Sequence, residues 1–200
     1  MLLELESSQL VLVDYQEKLM PAIFESAQVL GNAVRLARMA QQLNVVCFGT
    51  EQNPSRLGPN HADIRSACQR TLAKMQFSGV EEGLGEWLRP LAKPLTGNAR
   101  SLPKHLKQAS GHVSEKNNVV IAGCEAHVCL LQTALHLLED GFDVWVVTDA
   151  CGSRSERNRD AAFDRLAGAG VELLTTEMVA FEWVRSAEHP QFKTIQSLIK

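Results

Sequence analysis

The chain has 200 residues, 45% of them apolar and 22% charged, with a formal net charge of −3. That length can bury a full hydrophobic core in a single domain spanning residues 1–200. The charge leaves no basic surplus for phosphates, which argues against nucleic acid or an anionic membrane surface as a partner and for a small-molecule substrate.

The N-terminal stretch MLLELESSQL lacks the basic and apolar regions of a secretory signal. No apolar stretch approaches the ~18 residues of a membrane-spanning helix, so a soluble, cytoplasmic protein is expected. Five cysteines, at 47, 68, 124, 129 and 151, are an odd number in such a chain and are expected as free thiols.

In chain order, the run QLVLVD (9–14) is a first strand without alternation, as in a sheet covered on both faces. An apolar stripe at helical spacing follows, through Val29, Leu30, Ala33, Val34, Leu36, Ala37, Ala40 and Leu43. NVVCFGT (44–50) is a second strand. Residues 83–117, interrupted by Pro90, Pro94 and Pro103, are expected to form one or two short helices and a surface loop. NVVIAG (118–123) is another strand, followed by a second helical stripe from Leu130 to Leu138 that Gly141 terminates. DVWVVTD (143–149) and VELLTT (171–176) complete the strands. Strands alternating with helices at these intervals predict βαβ units, hence an α/β fold with helices on both faces of a parallel sheet.

In such sheets ligands bind beyond the carboxyl ends of the strands. Asp14, Thr50, Glu51 and the stretch GCEAHVC (123–129) fall there. Two cysteines, a glutamate and a histidine in that short stretch admit a metal site, a redox pair, a nucleophile or a sulfur-rich buried turn. Zinc requires a second ligand pair that the other histidines do not supply, so no metal or cofactor is expected. Cys124 and Cys129 lack the Cys-x-x-Cys spacing of dithiol redox sites. Cys129 opens a helix directly after a strand, where amides and the helix dipole favour a thiolate. Asp14 on a neighbouring strand can accept its proton, and a cation such as Lys74 would hold that aspartate charged. From spacing alone, a small buried hydrophobe at a helix start stays open for Cys129.

The stretches VLVDYQ (11–16), TEQNP (50–54), KMQFSG (74–79), VVIAGCEAHVC (119–129), TDACGSR (148–154) and EHPQFKTIQSLIK at the end occur in an order that resembles the isochorismatase-like cysteine hydrolase superfamily, in its branch of uncharacterised isochorismatase-domain proteins. The resemblance implies a three-layer α/β/α Rossmann-like fold with a six-stranded parallel sheet, adding a strand near 70–77. It implies a catalytic triad of Asp14, Lys74 and Cys129, acting on an amide-type C–N bond through a thioester. It also implies a cis Cys124–Glu125 peptide that aims the backbone amides of Glu125 and Cys129 at an oxyanion. Gln16 and His127 are candidate substrate contacts, although a hydrogen-bonding role in the turns fits both equally. Superfamily members commonly assemble, which implies a homo-oligomer.

Two departures narrow the chemistry. Glu51, Gln52, Asn53 and Pro54 stand where metal-dependent relatives carry their ligands, and retention of Cys129 separates the chain from vinyl-ether-cleaving isochorismatases. A thiol-bearing scaffold without efficient turnover, and a hydrolase of another acyl bond, remain alternatives.

Overall fold

The computed structural model describes residues 1–89 and 117–200. Six parallel strands form one sheet: β1 (Ser8–Val13), β2 (Val46–Gln52), β3 (Arg70–Lys74), β4 (Asn118–Gly123), β5 (Asp143–Val147) and β6 (Glu172–Leu174), in the order β3-β2-β1-β4-β5-β6. The order reverses direction between β1 and β4, which opens a crevice at their carboxyl ends. All six residues of β1 are buried, as a central strand covered on both faces requires.

Helix α1 (Ser26–Gln42) lies on β1 and β2 and buries Val29, Ala33, Leu36, Ala37, Met39 and Ala40. The short helices α2 (Pro54–Leu57) and α3 (Ala62–Ala67) link β2 to β3, and α4 (Leu84–Leu88) follows β3. Helix α5 (Leu131–Glu139) packs on β5, and α6 (Glu156–Gly168) packs on α5 and β6. The chain then returns to α1 through α7 (Thr176–Val184) and α8 (Phe192–Leu198). The result is the three-layer α/β/α arrangement with a six-stranded parallel sheet that the sequence predicts. None of these helices is long and apolar enough to cross a membrane.

The differences in detail have local causes. The last expected strand, 171–176, shortens to β6 because Thr175 leaves the sheet and caps α7, accepting a hydrogen bond from Met178 N. Thr148–Ala150 leaves β5 as a tight turn, and Asp149 Oδ1 accepts bonds from Thr176 N and Oγ1 at 2.8 and 2.9 Å. β3 is an edge strand, RTLAK, with its first and fourth residues exposed, so it lacks the apolar run that marks the others. The helix–loop expected over 83–117 is realised as α4 at its start, and its three prolines lie outside the described residues.

The crevice depends on close contact between β1 and β4. A side chain at Gly123 would place its Cβ 2.5 Å from Val13 Cβ and 2.6 Å from Val13 O. Only a bare Cα lets the two strands run together to the point where they diverge. Gly123→Ala is therefore expected to destabilise the protein by about 1–3 kcal/mol through overpacking. Gly168→Ala, where an added Cβ meets nothing within 4 Å, is expected to stabilise it by about 0.5 kcal/mol. Urea denaturation midpoints of the two variants should move in opposite directions, and equal shifts would contradict this account.

Candidate active site

Three residues outside the ordinary backbone regions flank the crevice. Asp14 after β1, Asn53 after β2 and Glu125 after β4 have φ of 57°, 39° and 52°. Left-handed backbone at non-glycine positions is costly and concentrates where a turn must aim a side chain.

Asp14 ends β1 with its side chain sealed from solvent. Its Oδ1 accepts a hydrogen bond from Thr50 Oγ1 at 2.7 Å, and its Oδ2 receives the Lys74 ammonium at 2.8 Å. Lys74 stands at the last position of β3, also fully buried. Its Nζ donates two further bonds, to Gln52 Oε1 at 2.7 Å and to Phe77 O at 3.1 Å. All three of its N–H donors are thereby used.

Cys129 belongs to a π-helical turn, Ala126–Leu130, that leads into α5, and it is 4% exposed. Its Sγ donates a long hydrogen bond to Gln52 Oε1 at 3.9 Å. Burial pushes the thiol up to about 12; the negative charge of Asp14 adds to this, and Lys74 pulls the other way. The thiolate expected from a helix start beside a cation is therefore not the resting form, because desolvation and the carboxylate outweigh the ammonium. At neutral pH Cys129 holds its proton beside a charged pair that can accept it.

The turn carrying Cys129 differs from expectation in one respect. The Cys124–Glu125 peptide is trans, and no peptide bond among the described residues is cis. The chain reverses through the left-handed Glu125 (φ 52°, ψ 61°) and the wider π-helical turn that follows. Cys124 N bonds Val13 O, Ala126 N bonds Gly152 O and Val128 N bonds Glu125 O, at 2.8–2.9 Å. The Glu125 carboxylate is held by Arg154 Nε at 2.6 Å, with His127 Nδ1 at 3.4 Å from its other oxygen. That second contact is an ion-pair distance without hydrogen-bond geometry, since Oε2 has no hydrogen-bond partner. His127 Nδ1 instead bonds Ser153 Oγ at 3.0 Å. Cys124 is wholly buried with its Sγ against Met20 Sδ, a core position.

Gln16 is sealed into the same structure. Its Nε2 donates to Gln52 O and Gly58 O at 3.0 and 2.7 Å, and its Oε1 accepts from Gln52 N at 2.9 Å. It clamps the backbone of Gln52, the residue that sequence reasoning passed over as a site member. Gln52 lies two positions beyond Thr50, on the same face of β2, and its Oε1 stands between Lys74 and Cys129. That same-face spacing was the available signal. A second tie links the two halves of the site: Gly79 N donates to Thr133 Oγ1 at 3.0 Å, and Thr133 Oγ1 donates to Cys129 O at 2.7 Å. The loop after Lys74 is thus anchored to the helix that bears the thiol.

Among the described residues no cluster of three His, Cys, Asp or Glu side chains is arranged to hold a metal. A cavity of about 720 Å³ beside Arg70, Trp87, Arg89 and Asp140 opens at the amino ends of the strands, opposite Asp14, Lys74 and Cys129. Convergence of side chains, rather than cavity size, marks the candidate site.

Residues 8–178 match the family model described as the isochorismatase domain. Mouse isochorismatase domain-containing protein 2A is 37% identical over 195 residues, covering 98% of this chain and 84% of the mouse protein. The structure named MAR1 ribonuclease from Caenorhabditis elegans aligns with a TM-score of 0.83 at 30% identity, over 100% of this chain and 92% of its own. Escherichia coli YcaC, described as an octameric hydrolase of unknown specificity, aligns with a TM-score of 0.75 at 22% identity, over 98% of this chain and 95% of its own. At that identity the likeness is one of fold.

Because the resting thiol is protonated, alkylation of Cys129 by iodoacetamide should rise about tenfold per pH unit between pH 7.5 and 9.5. Mass-spectrometric rates at that cysteine test this. A rate independent of pH across the interval would mean a thiolate already present, against the burial-driven shift.

Proposed function

The chain belongs to the isochorismatase-like hydrolase superfamily, and on that premise we propose that residues 1–200 act as one cysteine hydrolase domain cleaving a C–N bond of a small amide-type substrate. The observation that carries this reading is the meeting of the Asp14–Lys74 ion pair with the Cys129 thiol, bridged by Gln52, at the carboxyl ends of β1, β2, β3 and β4.

A thiol held near pKa 12 supplies negligible thiolate at neutrality, so attack has to be coupled to proton transfer. The Cys129 S–H gives its proton to the Asp14 carboxylate as sulfur bonds to the substrate carbonyl carbon. The carbonyl π electrons move onto oxygen, which the backbone amides of Glu125 and Cys129 stabilise. Asp14 then returns the proton to the departing nitrogen, which leaves as an amine, and the thioester forms. Water, deprotonated by Asp14, attacks the thioester and releases the acid, restoring the Cys129 thiol. Lys74 stays protonated throughout and holds Asp14 in place, while Gln16 and His127 fix the two turns that frame the substrate.

We prefer the amide reading over an ester because an amine cannot depart without a proton, and Asp14, once it has taken the thiol proton, would supply one. The name of the C. elegans protein raises RNA as a substrate, but a net charge of −3 favours a small molecule. We also propose a homo-oligomer; the octameric description of YcaC supports it, and light scattering coupled to gel filtration measures it.

The test is ammonia release from a panel of small amides, with esters and a short RNA as comparison substrates. Wild type is expected to turn over at least one amide. Cys129→Ala, Asp14→Asn and Lys74→Met should each lose about 10³-fold or more, and pairs of these changes should lose little beyond the singles, because residues acting as a unit are not additive. Full turnover by Cys129→Ala would end the nucleophile assignment. Ester cleavage without amide cleavage would keep the triad and move the bond. Silence on every substrate, with an intact thiol, would favour a scaffold that does not turn over.

A further inference from the structure

Two cysteines outside the site face each other. Cys47 Sγ, on β2, lies 3.7 Å from Cys68 Sγ, on the turn that ends α3 and enters β3. The backbone brings them together: Gln69 N donates to Cys47 O at 2.8 Å, and the β2–β3 ladder continues through Phe48 opposite Arg70. Cys47 and Gly49 share one face of β2. A Cβ at residue 49 would stand 3.0 Å from Cys68 Sγ, so the absence of a side chain there makes room for the second thiol. Cys47 is buried, whereas Cys68 is partly exposed.

We propose that Cys47 and Cys68 form a reversible disulfide that ties the edge strand β3 to β2. The sulfurs are in van der Waals contact at 3.7 Å, so closing the bond requires them to approach by only about 1.7 Å. With a low-molecular-weight disulfide as oxidant, the accessible Cys68 thiolate attacks one oxidant sulfur. This forms a mixed disulfide and expels one oxidant thiolate. The buried Cys47 thiol then attacks Cys68 Sγ, closing the intramolecular bond and expelling the second oxidant thiolate, which takes up the Cys47 proton as it leaves. One oxidant disulfide is reduced to two thiols while two protein thiols become one disulfide. The ring is closed across the loop containing α2 and α3, and its far strand ends at Lys74, so the bond would staple the edge strand that carries a site residue.

The test uses the folded wild-type chain incubated with oxidised glutathione, then denatured, alkylated and peptide-mapped. The expected result is loss of two free thiols, a single Cys47–Cys68 cross-link that dithiothreitol reverses, and an unfolding midpoint raised by about 5 °C or more. Cys47→Ser should instead accumulate a stable glutathione adduct on Cys68, which separates failed closure from failed access. The proposal is overturned if wild type keeps all its thiols, stops at the Cys68 adduct, or links a different pair.

Discussion

The site depends on the burial of an ion pair. Taking a carboxylate and an ammonium out of water is expensive, and their attraction offsets that cost only when every remaining donor and lone pair is also engaged. Here Thr50 and Lys74 each hold one Asp14 oxygen, and Lys74 spends its other donors on Gln52 and Phe77 O. The ends of β1, β2 and β3 therefore have to be in place together. Gln16 fixes the Gln52 backbone, and Thr133 joins the loop after Lys74 to the helix of Cys129. The pair is less a source of stability than a reason for the surrounding hydrogen bonds to be complete.

The thiol follows from this arrangement. Placed in the same dry pocket, beside a carboxylate rather than in water, Cys129 keeps its proton. A protonated sulfur next to a carboxylate fits the proposed reaction, in which the proton moves as the bond forms, and a thiol is a weaker nucleophile toward indiscriminate modification than a thiolate. The helix start, which would favour a thiolate in an exposed position, is outweighed because Cys129 itself is buried and Asp14 is close to it.

Much of the fold is legible in the residues. The uninterrupted apolar runs of β1, β4 and β5 and the stripe of α1 appear in the structure with boundaries shifted by a few residues, because strands covered on both faces have little choice of composition. β3 is not legible by that signal, since an edge strand needs no continuous apolar run and shows Arg70 and Ala73 to solvent. The family resemblance supplied it. Thr50 and Gln52 are half legible: their same-face spacing is in the sequence, but the side chain that each one meets is not.

Amino-acid order by itself determined that the chain alternates strand and helix, that Asp14 and Cys129 fall after strands, and that the net charge is −3. These are properties of composition and period, which a linear reading contains. Only the tertiary structure decided that Gln52 stands between the lysine and the thiol, that the Cys124–Glu125 peptide is trans, that the resting sulfur is a thiol, and that Cys47 meets Cys68. Each of these is set by distance and solvent exclusion between segments far apart in the chain, and those quantities come into being only when the strands are laid side by side.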